Sequence, residues 1–234
     1  MGGGGFSMED SPLLDDFVLA CARRTPARVC FVPTASGDAA GYITRFYRAF
    51  VPRNCAPTDL TLFGPQALPR QPAMTADLEA FVLSQDVIYV GGGNTANLLA
   101  MWRAHGLDRI FRLAWEAGVV LAGVSAGMIC WFKASLTDSF GGVAPLHDGL
   151  ALIETSACPH YDGEPMRRPR FQEMISSGSP AGYAADDGAA LHFVDGDLHE
   201  VVSSRPDASA YWVERVDGKA VERRLETRWL GATR

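Results

Sequence analysis

Hydrophobic and polar positions follow one pattern in the first two-thirds of this chain and a different pattern in the last third. Short apolar runs rich in β-branched residues, typical of buried strands, occur at Arg28–Pro33, Thr58–Phe63, Asp86–Val90 and from Val119 onward. Stretches with apolar residues at helical spacing lie between them, at Leu13–Arg24, Ala39–Phe50, Ala73–Leu83, Thr95–Arg103 and Leu107–Ala117. Strands that alternate with helices predict a mainly parallel sheet covered by helices on both faces.

The last third of the chain changes pattern. A predicted helix at Met166–Ser176 and a small-residue strand at Ala181–Ala185 come first. Four segments of alternating apolar and polar residues then follow, separated by turn residues that include Asp-Gly pairs: Ala189–Val194, Leu198–Val202, Ala210–Val216 and Ala220–Leu225. These segments predict antiparallel hairpins. Because no stretch has the composition of a linker, we expect one domain over residues 1–234.

The segment Val119–Phe132 (VVLAGVSAGMICWF) combines an apolar run, a tight turn and residues that suit a helix. The turn reads G-x-S-x-G, the pattern of a nucleophile elbow, in which a serine hydroxyl stands exposed at the end of a strand. Gly123 and Gly127 lack Cβ atoms, so the strand and the helix can approach closely around Ser125. The alternative is an ordinary turn of small residues, since the pentapeptide alone is only moderately specific.

Two backbone amides are candidates for stabilising an oxyanion beside Ser125. The N–H of Ala126 would lie next to the hydroxyl, at the positive end of the following helix. The glycine run 91–93 follows an apolar strand and opens a helix, which exposes backbone amides at the helix N-terminus. It matches neither the dinucleotide-binding pattern nor the P-loop, so we expect Gly92 to supply the second amide; a purely structural turn is the alternative.

A serine hydroxyl needs a neighbouring base to become a good nucleophile, and a carboxylate must orient that base. Among the five histidines, His160 is the first choice because it lies in a polar loop just beyond an apolar segment. Asp187, at the tip of a strand and before a glycine, is the first choice for the carboxylate, ahead of Asp138 and Asp186. The alternative for each aspartate is a turn or capping role.

Arginines at positions 167, 168 and 170 follow His160 closely in the predicted helix. A guanidinium can hold a carboxylate through two parallel hydrogen bonds, so Arg168 or Arg170 could bind an acidic group of a substrate. The alternative for both is a solvated helix face.

Composition narrows the expected partners. A formal net charge of −6 argues against nucleic acid or an anionic membrane, and no apolar run reaches the roughly 18–20 residues of a membrane span. The five cysteines are odd in number and lack C-x-x-C spacing, which is typical of reduced, packed thiols in a cytoplasmic protein without structural zinc. We expect a short peptide as the partner and no metal or cofactor, and we leave a homodimer open.

The opening segment Met1–Ser7 (MGGGGFS) has two interpretations. A glycine run of this kind usually follows a strand, so an expected first strand would be missing before it. The alternative is a flexible chain end.

Four motifs resemble, in order and spacing, those of the peptidase E-like serine peptidases (family S51): VGGGNTANLL, GVSAGMICWF, CPHYDGE and ADDGAAL. This family includes aspartyl dipeptidase and, more distantly, cyanophycinase. The resemblance covers roughly Gly2 to Val216 and implies a flavodoxin-like α/β fold, related to class I glutamine amidotransferases. It also implies a Ser–His–Glu or Ser–His–Asp triad, with Ser125 as nucleophile, His160 as base, and Gly92 and Ala126 as oxyanion donors.

The resemblance also concerns which residue is the acidic member of the triad. Asp187 stands where the family commonly has a glutamate before a glycine, and Asp138 matches an aspartate formerly favoured by sequence comparison. Aspartyl dipeptidases select an N-terminal Asp with an arginine downstream of the histidine, but the spacing after His160 differs from that branch.

Three functions are consistent with these features. The first is a cytoplasmic serine peptidase of short peptides, including those that begin with Asp. The second is an α/β-hydrolase esterase, whose order of Ser, acid and then His would require His192 or His199 as the base. The third is a non-catalytic binding protein with an amidotransferase-like fold; amidotransferase chemistry itself is disfavoured because the elbow carries Ser rather than Cys.

Overall fold

The computed structural model describes residues 1–63 and 75–232 of the chain. Its helices are α1 (Leu13–Ala20), α2 (Ala40–Phe50), α3 (Thr75–Leu83), α4 (Thr95–His105), α5 (Leu107–Glu116), α6 (Ala126–Ile129) and α7 (Arg167–Ser176). The first seven strands are β1 (Ala27–Val32), β2 (Cys55–Asp59), β3 (Val87–Val90), β4 (Val120–Gly123), β5 (Phe132–Thr137), β6 (Ala144–Leu146) and β7 (Ile153–Cys158). The remaining six are β8 (Gly182–Ala185), β9 (Ala189–Val194), β10 (Asp197–Ser203), β11 (Ala210–Val216), β12 (Lys219–Arg224) and β13 (Arg228–Trp229).

The first half of the chain forms a four-stranded parallel sheet in the order β2-β1-β3-β4. All four residues of β3 are buried, because helices cover the sheet on both faces. Ile88 and Val90 pack towards the side that contains Trp102 of α4, whereas Val87 and Tyr89 pack towards the aromatic side chains of α2. The predicted α/β fold with a parallel sheet flanked by helices is therefore confirmed.

The second half forms a six-stranded mixed sheet in the order β12-β11-β8-β7-β5-β6. Its centre, β5, β7 and β8, is parallel. Strands β6 and β11 run antiparallel to this centre, and β12 runs antiparallel to β11. A third, three-stranded sheet contains β9, β10 and β13. The antiparallel pairs β9–β10 and β11–β12 confirm the predicted hairpins.

Two predicted segments differ from the structure, and a third lies outside the described residues. The strand expected at Thr58–Phe63 is β2, which begins at Cys55 and ends at Asp59, because its parallel register with β1 pairs Ala27 with Cys55. Of the expected apolar segment Leu150–Ile153, only Ile153 belongs to strand β7, which continues to Cys158. The predicted connection Pro65–Pro72 lies outside the described residues, as does the start of the helix expected at Ala73–Leu83.

The helix after the elbow is shorter than its sequence suggests. Helix α6 ends at Ile129, and strand β5 begins at Phe132, within the segment whose residues we expected to suit a helix. Pairing of β5 with β7 on one side and β6 on the other outweighs the local helical preference. The short helix lets β5 start the second sheet only a few residues after Ser125.

The opening glycines are buried in the fold. Gly2 donates its N–H to the carbonyl of Ala189, and the carbonyl of Met1 accepts the N–H of Ser125. A flexible end is therefore the wrong interpretation of this segment, and a turn that follows a strand stays a prediction. The five cysteines are free thiols, as expected, and Cys30, Cys130 and Cys158 are buried. Within the described ranges, no helix has the length and apolarity needed to cross a bilayer.

Candidate active site

Ser125 lies at the sharp turn between β4 and α6, in a backbone conformation that few non-glycine residues adopt. Its φ is 56° and its ψ is −114°. The turn is tight enough that a Cβ at Gly123 would lie 2.1 Å from the carbonyl oxygen of Gly127. A Cβ at Gly127 would lie 2.2 Å from the carbonyl oxygen of Val90. The glycines on either side of Ser125 are thus a steric requirement of the elbow.

His160 reaches Ser125 from the other sheet. It follows β7 by two residues, has a φ of 53° and is only 9% exposed. Its Nε2 lies 2.8 Å from the Ser125 Oγ, and its Nδ1 lies 2.6 Å from Oδ1 of Asp187. The structure therefore brings the first-choice serine, histidine and aspartate into one hydrogen-bonded chain.

Asp187 is held in place through its backbone and through the space around its carboxylate. Its N–H donates to Oδ1 of Asp162 at 2.8 Å, while Oδ2 of Asp162 accepts from the Arg205 guanidinium at 2.7 Å. A Cβ at Gly163 would lie 2.3 Å from Oδ2 of Asp187, and a Cβ at Gly3 would lie 2.0 Å from Oδ1. The carboxylate fits only because both of these positions are glycine.

The two other candidate aspartates have different partners. Asp138 is 60% exposed and faces Arg167 at 3.7 Å. Asp186 accepts hydrogen bonds from the backbone of Ser209 and the hydroxyl of Tyr211, and burial raises its pKa to about 6. Neither carboxylate makes a hydrogen bond to His160 within the part of the chain that the structure describes.

The two candidate oxyanion donors differ in their availability. Across residues 1–63 and 75–232, the N–H of Ala126 has no hydrogen-bond acceptor. Gly92 lies against the serine, since a Cβ at Gly92 would be 3.3 Å from the Ser125 Cβ. Its N–H donates to the hydroxyl oxygen of Tyr42 at 3.1 Å, and that hydroxyl donates to Ser7 Oγ at 2.8 Å. The Gly92 amide is therefore at the site but occupied by a neutral acceptor.

The candidate substrate-binding arginines both have carboxylate partners. Arg168 pairs with Glu222, and its guanidinium lies over the rings of Tyr161 and Tyr211 at 5.3 and 5.2 Å. Arg170 pairs with Glu173, three residues along the same helix, at 2.7 Å. A substrate carboxylate would have to compete with these internal partners.

The histidines that the esterase order of Ser, acid and then His would require do not lie beside Ser125. His192 lies on β9 and His199 on β10, where their rings face each other at 5.4 Å and His192 lies near Glu200. The base position beside Ser125 is taken by His160.

Sequence reasoning missed three contributors to this arrangement: Asp162, Arg205 and Tyr42. Asp162 lies two residues after His160 in CPHYDGE, and its Asp-Gly pair was a signal for a turn that could have drawn attention to it. Arg205 and Tyr42 come from distant segments without a motif, and only the fold places them here.

A hydroxyl bonded to an imidazole that is itself bonded to a carboxylate is an arrangement that activates serine as a nucleophile. The imidazole can take the hydroxyl proton, and the carboxylate stabilises the imidazolium that results. A free amide beside the hydroxyl can stabilise negative charge on an attacked carbonyl oxygen. The site therefore has the parts for acyl transfer.

Comparisons with known proteins indicate a family of peptidases. The model of peptidase family S51 matches residues 1–201. The uncharacterized peptidase YgaJ of Bacillus subtilis (strain 168) is 50% identical over 233 residues, which cover 99% of this chain and 97% of that protein.

Two crystal structures share the fold. A peptidase from an acI-B1 Actinobacterium has a TM-score of 0.71 at 16% identity, with coverage of 97% of this chain and 92% of the other. A protein assigned as peptidase E from Listeria monocytogenes EGD-e has a TM-score of 0.53 at 18% identity, with coverage of 90% and 93%. At these identities the likeness shows the fold alone.

Proposed function

This chain belongs to peptidase family S51 and is a peptidase, and on that premise we propose that it hydrolyses short peptides by serine catalysis. In this proposal Ser125 is the nucleophile, His160 the general base and Asp187 the residue that orients the imidazole. The observation that carries the assignment is the continuous chain of hydrogen bonds, 2.8 Å from Ser125 to His160 and 2.6 Å from His160 to Asp187.

The proposed reaction has two halves. The Ser125 Oγ attacks the carbonyl carbon of the scissile bond while its proton passes to Nε2 of His160. The oxyanion that forms accepts hydrogen bonds from the amides of Ala126 and Gly92, and Gly92 exchanges its bond to Tyr42 for the stronger, charge-assisted one.

His160 then gives the proton to the leaving amine, the C–N bond breaks, and an acyl-enzyme remains on Ser125. In the second half His160 takes a proton from water, and the resulting hydroxide equivalent attacks the acyl carbon. Collapse of that intermediate releases the carboxylic acid and returns the proton to Ser125.

The finer part of the proposal concerns the substrate. We assign a preference for an N-terminal Asp to Arg168, which lies beside Tyr161, the residue that follows His160. Glu222 neutralises Arg168 in the free protein, so a substrate carboxylate would replace an internal one. Resemblance to peptidase E supports the restriction to short peptides.

The catalytic assignment is tested with a fluorophosphonate probe, which labels an activated serine. We expect stoichiometric labelling of the wild-type chain at Ser125 and none of Ser125→Ala or His160→Ala. Ser125→Ala should lower kcat on a dipeptide by at least about 10⁴-fold. Labelling at another residue, or labelling of folded His160→Ala at the wild-type rate, would remove the proposal.

Substrate choice is tested separately with Asp-X, Glu-X and Ala-X dipeptides and with the same peptides blocked at the N-terminus. We expect Asp-X to be cleaved fastest and blocked peptides to resist cleavage. Arg168→Met should lower the ratio of Asp-X to Ala-X rates, whereas Arg170→Met should leave it unchanged. An unchanged ratio in Arg168→Met would contradict the role of that arginine without affecting the catalytic assignment.

A further inference from the structure

The β9–β10 hairpin carries an irregularity that brings three potential metal ligands together. His192 on β9 pairs with Glu200 on β10, and the neighbouring pair is Phe193 with Leu198, so that His199 is an extra residue in β10. In such a bulge two consecutive residues of one strand oppose a single residue of the other. Donor atoms of His192, His199 and Glu200 all lie within 4.8 Å of one another.

One ring nitrogen of His192 lacks a hydrogen-bond partner among the residues that the structure describes. The Nδ1 of His192 is inaccessible to solvent and has no hydrogen-bond partner within the described residues. Oε1 of Glu200 lies 3.6 Å from this nitrogen, which is beyond hydrogen-bond range. A buried imidazole nitrogen without a partner is costly, and a cation bound between these side chains would satisfy it.

Glu200 is prepared to act as an anionic ligand. Its Oε2 accepts two hydrogen bonds from Arg228, at 2.9 and 2.7 Å, which leaves Oε1 directed at the imidazole of His192. The Arg228 guanidinium therefore lies against one carboxylate oxygen of Glu200 and leaves the other free to bind a cation.

We propose that His192, His199 and Glu200 form a binding site for a late divalent transition metal ion such as Zn²⁺. Two imidazole nitrogens and one carboxylate oxygen suit Zn²⁺, Ni²⁺ or Cu²⁺, whereas Mg²⁺ and Ca²⁺ prefer sites made of oxygen alone. The cysteine spacing carries no information about this site, because none of its three ligands is a cysteine.

The site is structural rather than catalytic in this proposal. It joins β9 to β10 across the bulge, and the His192 ring also packs edge-on against Phe17 of α1 at 5.5 Å. A bound ion would therefore tie the hairpin to the helix through His192. None of the three ligands takes part in the hydrogen-bonded chain of Ser125, so metal binding and peptidase activity can be measured independently.

The first test is calorimetric titration of the tag-free 234-residue chain with ZnCl₂ in a buffer that does not chelate metals. We expect one equivalent to bind, with MgCl₂ giving no heat of binding. His199→Gln should weaken the dissociation constant at least tenfold, and this exposed side chain can be replaced without disturbing the fold. His147→Gln, which removes an exposed histidine from a different region, is the matched control and should bind as the wild type does.

Thermal unfolding gives a second readout that does not depend on titration heats. At Zn²⁺ concentrations about 100-fold above the dissociation constant, Tm of the wild type and of His147→Gln should rise by about 5–10 °C. Glu200→Gln and His199→Gln should lose most of this rise while retaining peptidase activity. Absence of Zn²⁺ binding to the wild type, or undiminished binding by His199→Gln, would overturn the proposal.

Discussion

The candidate site is assembled from two sheets that secure their residues in different ways. Ser125 comes from the parallel four-stranded sheet, at the end of β4. His160 and Asp187 come from loops that follow β7 and β8 of the mixed six-stranded sheet. The serine side depends on backbones that touch, whereas the acid side depends on polar contacts and on space around a carboxylate.

Because of this difference, we expect substitutions to affect the two sides differently. On the serine side, an added methyl group would meet main-chain atoms such as the Val90 carbonyl, which cannot move without shifting a buried strand. On the acid side, an added methyl group at Gly163 would meet the end of the Asp187 side chain, which can rotate away. We therefore expect substitutions on the serine side to lower stability and substitutions on the acid side to lower activity.

The largest effect on the acid side should come from Asp187→Asn. An amide at this position cannot accept the Nδ1–H of His160 as a carboxylate does, and it favours the wrong tautomer of the imidazole. We expect kcat on a dipeptide to fall by about 10⁴-fold with little change in Tm.

Asp138→Asn and Asp186→Asn serve as controls, because their carboxylates face Arg167, Ser209 and Tyr211 instead. Both should retain activity within about tenfold of the wild type. A loss in Asp138→Asn equal to that in Asp187→Asn would contradict the acid assignment.

A pair of glycine substitutions compares the two sides directly. Gly127→Ala should lower the free energy of unfolding by about 3 kcal/mol, because its Cβ would overlap the backbone of β3. Gly163→Ala should lower it by less than about 1 kcal/mol but reduce kcat/KM by about 10²-fold, because it displaces the Asp187 carboxylate.

Chemical denaturation and steady-state kinetics on both variants measure this contrast. Gly142→Ala is a control, since a Cβ there has open space around it. If Gly163→Ala proved as unstable as Gly127→Ala and as active as the wild type, the proposed division between the two sides would be refuted.

The contribution of the polar contacts is tested by Asp162→Ala. This change removes the acceptor of the Asp187 N–H and the partner of Arg205 together, so the carboxylate beside His160 loses its backbone support. We expect kcat to fall by about 10–100-fold, KM to change little, and fluorophosphonate labelling to slow in parallel.

Asp207→Ala is the matched control, because Asp207 faces the same arginine at 4.0 Å but is 82% exposed, whereas the Asp187 N–H donates to Asp162. Equal losses in the two variants would show that Arg205, rather than the Asp162–Asp187 bond, carries the effect.

The same contrast explains what the sequence could predict. The elbow was predictable because its requirements are local: two glycines and a serine within five residues of a strand end. The parallel strands and the late hairpins were predictable for the same reason, since each has its own hydrophobic period.

Features that depend on distant partners were not predictable. Strand β5 forms because β6 and β7 pair with it, although the residues that lead into it suit a helix. Asp162 and Tyr42 act on Asp187 and Gly92 from 25 and 50 residues away. Only the tertiary fold supplies such pairs, and a single sequence contains no periodic signal for them.

Tyr42 offers the smallest effect and the sharpest test of the serine side. Its hydroxyl accepts the Gly92 N–H at 3.1 Å in the free protein, so a substrate oxyanion must displace a neutral acceptor before it can use that amide. Tyr42→Phe removes this competitor while the ring keeps its packing against Phe6 and Phe31. Because a neutral hydrogen bond contributes about 1 kcal/mol, we expect kcat/KM to rise by about fivefold.

Ser7→Ala is the control for this prediction, since it removes the acceptor of the Tyr42 hydroxyl but leaves the hydroxyl itself on Gly92. It should change kcat/KM by less than Tyr42→Phe does. A fall of tenfold or more in Tyr42→Phe would instead mean that the hydroxyl itself donates to the oxyanion. The serine side would then depend on a side-chain donor as well as on backbone geometry, and the contrast with the acid side would be weaker than proposed.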